Sequence, residues 1–327
     1  MDESILKIDK FIKKGSKFII TTHESPDADG VGAELAFKEI LLKQGKHAII
    51  LNGDPTPEKI KFLDIDKEIN IADETFILPD DIEDYALFVL DTNDFPNTGN
   101  TYNMLKDRIS TIFIIDHHEG DQSKIEKNYI KVHASSASEI IYDIFKYYDI
   151  DFTFKSAQAL YTGILFDTGS FRYAKTSPQT FEATSELVKK GADPNYLYEK
   201  IYENNDLNTF LLQAEMMKTV ETHFDGKMVL MFLNPEMLVK TGAYFSDGEI
   251  NINIPLKLKG VEASVLIKQD INGPLKVSMR TKGDLDVSEI AIARHGGGHK
   301  NAAGYKSGLS LEETYKQVLS DMSVFFK

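Results

Sequence analysis

Between residues 17 and 150 the chain alternates short, almost wholly apolar runs with longer stretches of helical periodicity. The runs are 17–22, 47–51, 85–90 and 111–115. A run that is apolar on successive positions suits a strand buried on both faces. Residues 30–44 place Leu35, Ile40, Leu41 and Leu42 along much of one stripe, and Gly45 suits the end of that helix. Residues 138–148, rich in Ile, Phe and Tyr, predict a second helix. This βαβ alternation implies a mainly parallel sheet covered on both faces.

Residues 155–215 read as helical. One helix over 156–165 runs into Asp167, and Ser177-Pro178 supplies an N-cap and a first-turn proline for another that Gly191 closes. The stretch 195–222, polar on one side and free of glycine, predicts a helical connector. The pattern then changes. Strand-like segments at 228–233, 261–268 and 275–280 precede a helix opened by the capping-box spacing of Asp286 and Glu289 and reaching about residue 294. Ser310 and Glu313 open a last helix to about residue 325. The expected fold class is therefore α/β: a mainly parallel domain over 1–195, a helical linker over 196–222, and a smaller mixed-sheet α/β domain over 223–327.

Composition narrows this. A chain of 327 residues suits two domains, since single cores stop growing near ~250–300 residues. No cysteine is present, which excludes disulfides and thiolate metal sites. The net charge of −14 argues against a long duplex nucleic acid held across a broad basic face, so any grip on phosphate must be local. No apolar run approaches the ~18–20 residues that span a bilayer, and the N-terminus lacks a signal-peptide pattern, so no membrane association and a cytoplasmic location are expected.

The chemistry concentrates in four short segments: T-H-E-S-P-D-A-D-G, L-D-T-N-D, I-D-H-H-E and F-D-T-G-S. They supply His23, Asp27, Asp29, Asp91, His117 and Asp167. The first three each follow a strand-like run, and ligands of open α/β sheets gather beyond the carboxyl ends of strands. Singly, an Asp at a strand end is a turn former or helix cap. Jointly, four carboxylates at one point repel unless divalent cations neutralise them. Oxygen-rich ligation suits Mn²⁺ or Mg²⁺, and two ions about 3.5–4 Å apart activate a water and clamp a phosphate ester. A second constellation runs from Arg294 to Gly304. Gly296, Gly297 and Gly298 allow close backbone approach to an anion, and His299 and Lys300 add donors. Arg280 ends a strand nearby in sequence and suits a forked phosphate contact.

With these motifs the chain resembles the DHH phosphoesterase family, named for the motif seen here as Asp116-His117-His118, over about residues 17–305. The segment 296–304 is similar to the family's associated C-terminal domain. The resemblance implies two Mn²⁺: one held by His23, Asp27, Asp91 and Asp167, the other by Asp29, Asp91, His117 and Asp167. It implies catalytic roles for His118, Asp91 and His117, with His118 facing the substrate phosphate or leaving oxygen. Arg280, Gly297, Gly298, His299 and Lys300 would hold substrate; Arg172 would reach it too, and Ser135-Ser136 would lie near the site. The activity implied is hydrolysis of short RNA and dinucleotides to mononucleotides by a metal-activated hydroxide, with phosphatase action on 3′-phosphoadenosine 5′-phosphate (pAp). A homodimer fits the same resemblance. Tyr305 and Phe171 are candidates for base stacking. The competing readings are a cyclic di-AMP phosphodiesterase, an inorganic pyrophosphatase, a long-strand DNA exonuclease and an inactive nucleotide sensor. The complete ligand set argues against the sensor, and the acidic charge against tracking a long strand.

Overall fold

The structure is a computed structural model that describes residues 3–118, 128–271 and 273–326. The chain divides into two compact units that meet at Asn204 and Asn205. In the first, α1 (Glu3–Lys14), β1 (Lys17–Thr21), α2 (Ala28–Lys43), β2 (His47–Asn52), β3 (Ile69–Ile71) and β4 (Tyr85–Leu90) follow in order. Then come α3 (Asn100–Leu105), β5 (Ile112–Asp116), β6 (Tyr129–Ile130), α4 (Ala137–Tyr147), α5 (Phe154–Asp167), α6 (Pro178–Lys189) and α7 (Pro194–Tyr202). The strands form one sheet in the order β3-β2-β1-β4-β5-β6, parallel throughout.

Apolar runs become strands here because successive residues serve two different cores. Phe18, Ile20, Phe88, Leu90, Phe113 and Ile115 pack with α1, α2, α4 and α5 on one face. Ile19, Leu87, Val89 and Ile114 pack with Leu105 of α3 on the other. With both faces covered, only the strand ends are free to carry chemistry. The strand order reverses between β1 and β4, which opens a crevice at their carboxyl ends. Helix α1 was not anticipated by the pattern analysis; its Ile5, Ile8 and Ile12 close the first core.

The second unit contains α8 (Leu207–Met217), β7 (Glu221–His223), β8 (Met228–Leu233), α9 (Pro235–Thr241), β9 (Ala263–Gln269), β10 (Leu275–Thr281), α10 (Ser288–Ala293), β11 (Gly297–His299), β12 (Ala302–Ser307) and α11 (Leu311–Met322). Its sheet runs β11-β12-β10-β9-β8-β7 and is mixed, with β8 parallel to β9 and the other neighbours antiparallel.

Two details differ from expectation. The stretch 195–222 is not one connector. Helix α7 buries Leu197 and Ile201 in the first unit, and the Asp206 carboxylate accepts from the Thr209 amide at 2.8 Å to start α8 afresh. Leu212 and Met216 of α8 belong to the second unit's core, and β7 takes the last residues assigned to the linker. The capping box at 286–289 does not form either. The Asp286 carboxylate is taken by the amide and hydroxyl of Ser288, at 2.9 and 2.5 Å.

Candidate metal centre

Strand β1 hands the chain to the crevice through Thr22, whose hydroxyl donates to the Leu90 carbonyl at 3.0 Å and ties the ends of β1 and β4 together. His23 comes next. Its Nδ1 lies 2.8 Å from the Glu24 carbonyl oxygen. A proton on Nδ1 leaves Nε2 as the ligating nitrogen. Asp27 is the N-cap of α2: Oδ1 accepts from the amides of Asp29 and Gly30 at 2.9 and 3.1 Å, and Oδ2 lies 3.8 Å from His23 Nε2. One oxygen starts the helix while the other faces the crevice. Asp29 is fully buried, and its carboxylate accepts from the Ala137 and Ser138 amides at 2.6 and 2.9 Å. Those amides open α4, where a helix terminus favours negative charge.

Asp91 follows β4 directly with a left-handed backbone, φ 58°, a region Asp enters more readily than most residues. Its amide donates to Ile115 of β5 at 3.0 Å. The carboxylate stands between two imidazoles: Oδ2 is 3.6 Å from His23 Nε2, and Oδ1 is 3.4 Å from His117 Nε2. His117 follows β5 and lies 3.1 Å from Oδ2 of Asp167, the last residue of α5, and 4.0 Å from Oδ2 of Asp29. Ligand atoms of His23, Asp27 and Asp91 form one compact group, and those of Asp29, His117 and Asp167 another, each within 4.8 Å. The six residues singled out from the sequence thus meet at one place.

The electrostatics record the crowding. Burial, reinforced by Asp91 and Asp167, holds the Asp29 carboxyl well above the usual range. Burial also raises Asp167, against the pull of His117. At His117 burial opposes the proton, but Asp167, Asp91 and Asp29 outweigh it and lift the pKa to about 11. At His23 burial is likewise overcome by Asp27 and Asp91, again to about 11. Asp91 shifts downward: burial is overridden by the two imidazoles. Without cations the carboxylates are balanced only by keeping both histidines protonated. The hydrogen bonding is incomplete as well. Asp91 Oδ1 and both ring nitrogens of His117 are buried without a hydrogen-bond partner; the ion-pair distances above are short, but the groups are not aligned as bonds. Buried unpaired polar atoms are costly. Carboxylate oxygens and imidazole nitrogens left open toward one space fit a pair of divalent cations.

His118 differs from His117. Its side chain is half exposed, and its Nδ1 lies 2.6 Å from Oδ1 of the buried Asp116, which also accepts the His117 amide at 2.8 Å. Three supporting residues escaped the sequence reading. Glu139 accepts from the hydroxyls of Ser135 and Thr180 at 2.6 and 2.7 Å and so braces the turn whose amides hold Asp29. Its signal was present as Ser136 followed three residues later by Glu, the capping-box spacing. Gly163 of α5 faces the same turn, and a methyl there would press into Ser138 and the Asp29 carboxylate. Lys175 donates to the His117 carbonyl at 2.9 Å, and no motif marks it. Arg172 is exposed on the turn after α5.

In the second unit the glycine segment is not a loop. Gly297, Gly298 and His299 form β11, paired with Gly304, Ala303 and Ala302 of β12. A side chain at Gly296 or Gly298 would collide with β12, and Gly298 has φ 137°, so both glycines are needed for packing. Only Gly297 has open space over it. His299 and Arg280 are both register partners of Ala302, on β11 and β10; the His299 side chain lies outside the described residues. Arg280 is half-buried, donates to the Met279 carbonyl at 3.0 Å, and has no carboxylate partner among the described residues. Lys300 is exposed and paired with Asp284 at 2.8 Å. Tyr305 is buried in the second core, and Phe171 is partly buried and stacks on Phe181.

The chain is similar to known proteins in both units. Residues 17–164 match the DHH family, N-terminal domain, and residues 234–326 match the DHHA1 domain. The chain is 29% identical over 307 residues to the bifunctional oligoribonuclease and PAP phosphatase NrnA of Thermus thermophilus, covering 92% of this chain and 87% of that protein. It is 26% identical to the cyclic-di-AMP phosphodiesterase PdeA of Listeria monocytogenes over 98% of this chain but only 49% of that longer protein. An exopolyphosphatase-related protein from Bacteroides fragilis has the same fold, with a TM-score of 0.90 at 25% identity over 99% of this chain and 97% of that one.

Proposed function

This chain belongs to the DHH family, its DHH domain followed by a DHHA1 domain, and is a metal-dependent phosphoric ester hydrolase; we propose that it hydrolyses short oligonucleotides to mononucleotides and removes phosphate from pAp. The observation that carries this reading is Asp91. Its two oxygens face two imidazoles, at 3.6 and 3.4 Å, each within its own group of ligand atoms, as a bridging carboxylate requires. Similarity to an oligoribonuclease and PAP phosphatase over 92% of the chain supports the substrate class.

His23 and Asp27 would hold one Mn²⁺ and Asp29 and His117 the other, with Asp91 and Asp167 available to both; Mg²⁺ would suit the same oxygens. When bound, the pair supplies an acidified water and neutralises charge on the phosphoryl oxygens. The remaining tasks fall to the chain's own residues. Asp116 commits His118 Nδ1, which presents Nε2 to protonate the leaving oxygen. The α4 amides donate to both Asp29 carboxylate oxygens and fix their position in a buried setting. In the second unit Arg280, Gly297, His299 and Lys300 are the groups suited to a substrate phosphate; in the first, Arg172 is. Lys300 must leave Asp284 to take one, an exchange that costs little at an exposed pair. Similarity to a cyclic-di-AMP phosphodiesterase favours a second reading in which the cyclic dinucleotide is the substrate.

A panel of a linear dinucleotide, a pentanucleotide, pAp and cyclic di-AMP, each with Mn²⁺ and with Mg²⁺, separates these. Mononucleotide from the dinucleotide and phosphate from pAp are expected, with the cyclic substrate slower. Turnover of cyclic di-AMP alone would transfer the assignment to the second reading, and no turnover of any ester would reject both.

A further inference from the structure

Strands β9, β10 and β12 place three lysines in one row. Lys276 of β10 is the register partner of Lys268 on β9 and of Lys306 on β12, so all three leave the same face of the sheet. Like charges directly opposite on neighbouring strands destabilise a sheet. The described residues neutralise little of this row. Glu249 pairs with the buried Lys268 and accepts from Ser278 at 3.1 Å, while Lys276 and Lys306 have no carboxylate partner among the described residues. Burial, with Lys276 and Arg280 nearby, pulls Lys268 down to about 8. In a chain of net charge −14, unpaired cations gathered on one face mark a surface kept for an anion.

The row borders a cavity of about 420 Å³, lined by Lys268, Lys276, Ser278, His295, Gly296 and Lys306. The half-buried Phe245 ring lies 5.4 Å from Lys268 Nζ and 5.3 Å from Lys276 Nζ. Cations beside an aromatic ring are the pairing with which proteins hold single-stranded nucleic acid. Lys276, Ser278 and Arg280 alternate along β10 and so share this face. Lys276 stands four residues from Arg280, about 13 Å along the strand.

We infer that the Lys268–Lys276–Lys306 row is a second phosphate subsite, which holds a distal phosphate of an oligonucleotide too long to be served by Arg280 alone. The inference deepens the proposed function and rests on Arg280 taking a phosphate. Dinucleotides and pAp end before the row; a pentanucleotide reaches it. Recognition there is of phosphate and stacked base, without sequence preference.

The test is the Lys276→Gln/Lys306→Gln double variant of the full-length, Mn²⁺-loaded protein. kcat/KM for a pentanucleotide should fall about tenfold or more while that for a dinucleotide and for pAp stays within twofold. In parallel, binding of a fluorescein-labelled pentanucleotide to the metal-free protein, followed by anisotropy, should weaken, and its log–log salt slope should drop by about 0.7 per lysine removed. Equal losses on short and long substrates, or an unchanged salt slope, would overturn the subsite. If the wild-type protein cleaves neither substrate, the proposed function fails, and the anisotropy alone still decides the subsite. Thermal melting controls for folding; removing opposed lysines should not lower the melting temperature.

Discussion

The two units solve the placing of function in opposite ways. In the first, a parallel sheet is covered on both faces, so every functional group is pushed to strand ends, where four carboxylates and two imidazoles crowd into buried space. In the second, cations stand along the strands of a mixed sheet themselves, spread in register. One site is negative, dense and short of hydrogen-bond partners; the other is positive and distributed. The lesson concerns tolerance. A buried cluster depends on each member because its charges are balanced only as a set, whereas a row loses affinity in steps.

The sharpest way to break this contrast is Asp91→Ala. Hydrolysis should fall by roughly 10³-fold or more, because the residue faces both ligand groups. The metal-free variant should melt lower than wild type, since the protonated His23 and His117 lose the carboxylate they share, while its binding of the labelled pentanucleotide should persist. Retained hydrolysis would show that Asp91 is not a bridge.

Next in size is the response to cations. Mn²⁺ at a hundred times its dissociation constant should stabilise the first unit by about 2.7 kcal/mol for each ion bound and leave the second unchanged, which calorimetry resolves as the upward shift of one transition. The sign with pH follows from the histidines. His23 and His117 have pKa values raised to about 11 from an ordinary 6.5. In the metal-free protein their stabilising contribution is therefore complete below about pH 6.5 and is lost as pH climbs through about 11. Ligation requires neutral imidazole, so Mn²⁺ binding at pH 8 should release a proton from each ring and tighten as pH rises. Titration calorimetry in two buffers of different ionisation enthalpy reads this directly. Binding without proton release would remove the histidines from the ligand set.

The smallest expected effect is Gly163→Ala, about 1–3 kcal/mol of destabilisation from overpacking against Ser138 and Asp29. It should weaken Mn²⁺ binding although Gly163 carries no ligand. A neutral outcome would mean that the α4 turn yields freely, and that the buried cluster is less tightly supported than its hydrogen bonds suggest.

Much of the first unit was legible because burial on both faces leaves an unmistakable apolar signature at residues 85–90 and 111–115. Five of the six metal-facing residues were legible because they follow such strand-like runs, and Asp167 because it closes a helix. Short strands such as β6 and β11 carry too few residues for a period to show. Gly296 and Gly298 were read as anion cradles, but their reason is packing against β12, which register alone discloses. The lysine row was invisible for the same cause: positions 268, 276 and 306 are neighbours only once three strands are aligned. Lys175 reaches the His117 carbonyl through a turn that has no pattern of its own.

The last of the six candidate ligands sits at the carboxyl end of α5, at residue 167, while the first is residue 23. During synthesis the centre stays incomplete until that helix has left the ribosome and docked beside α2. A chain interrupted earlier carries isolated carboxylates without the partners that complete the cluster. Competence therefore arrives in one step, late, and only in a chain that has already built its first domain.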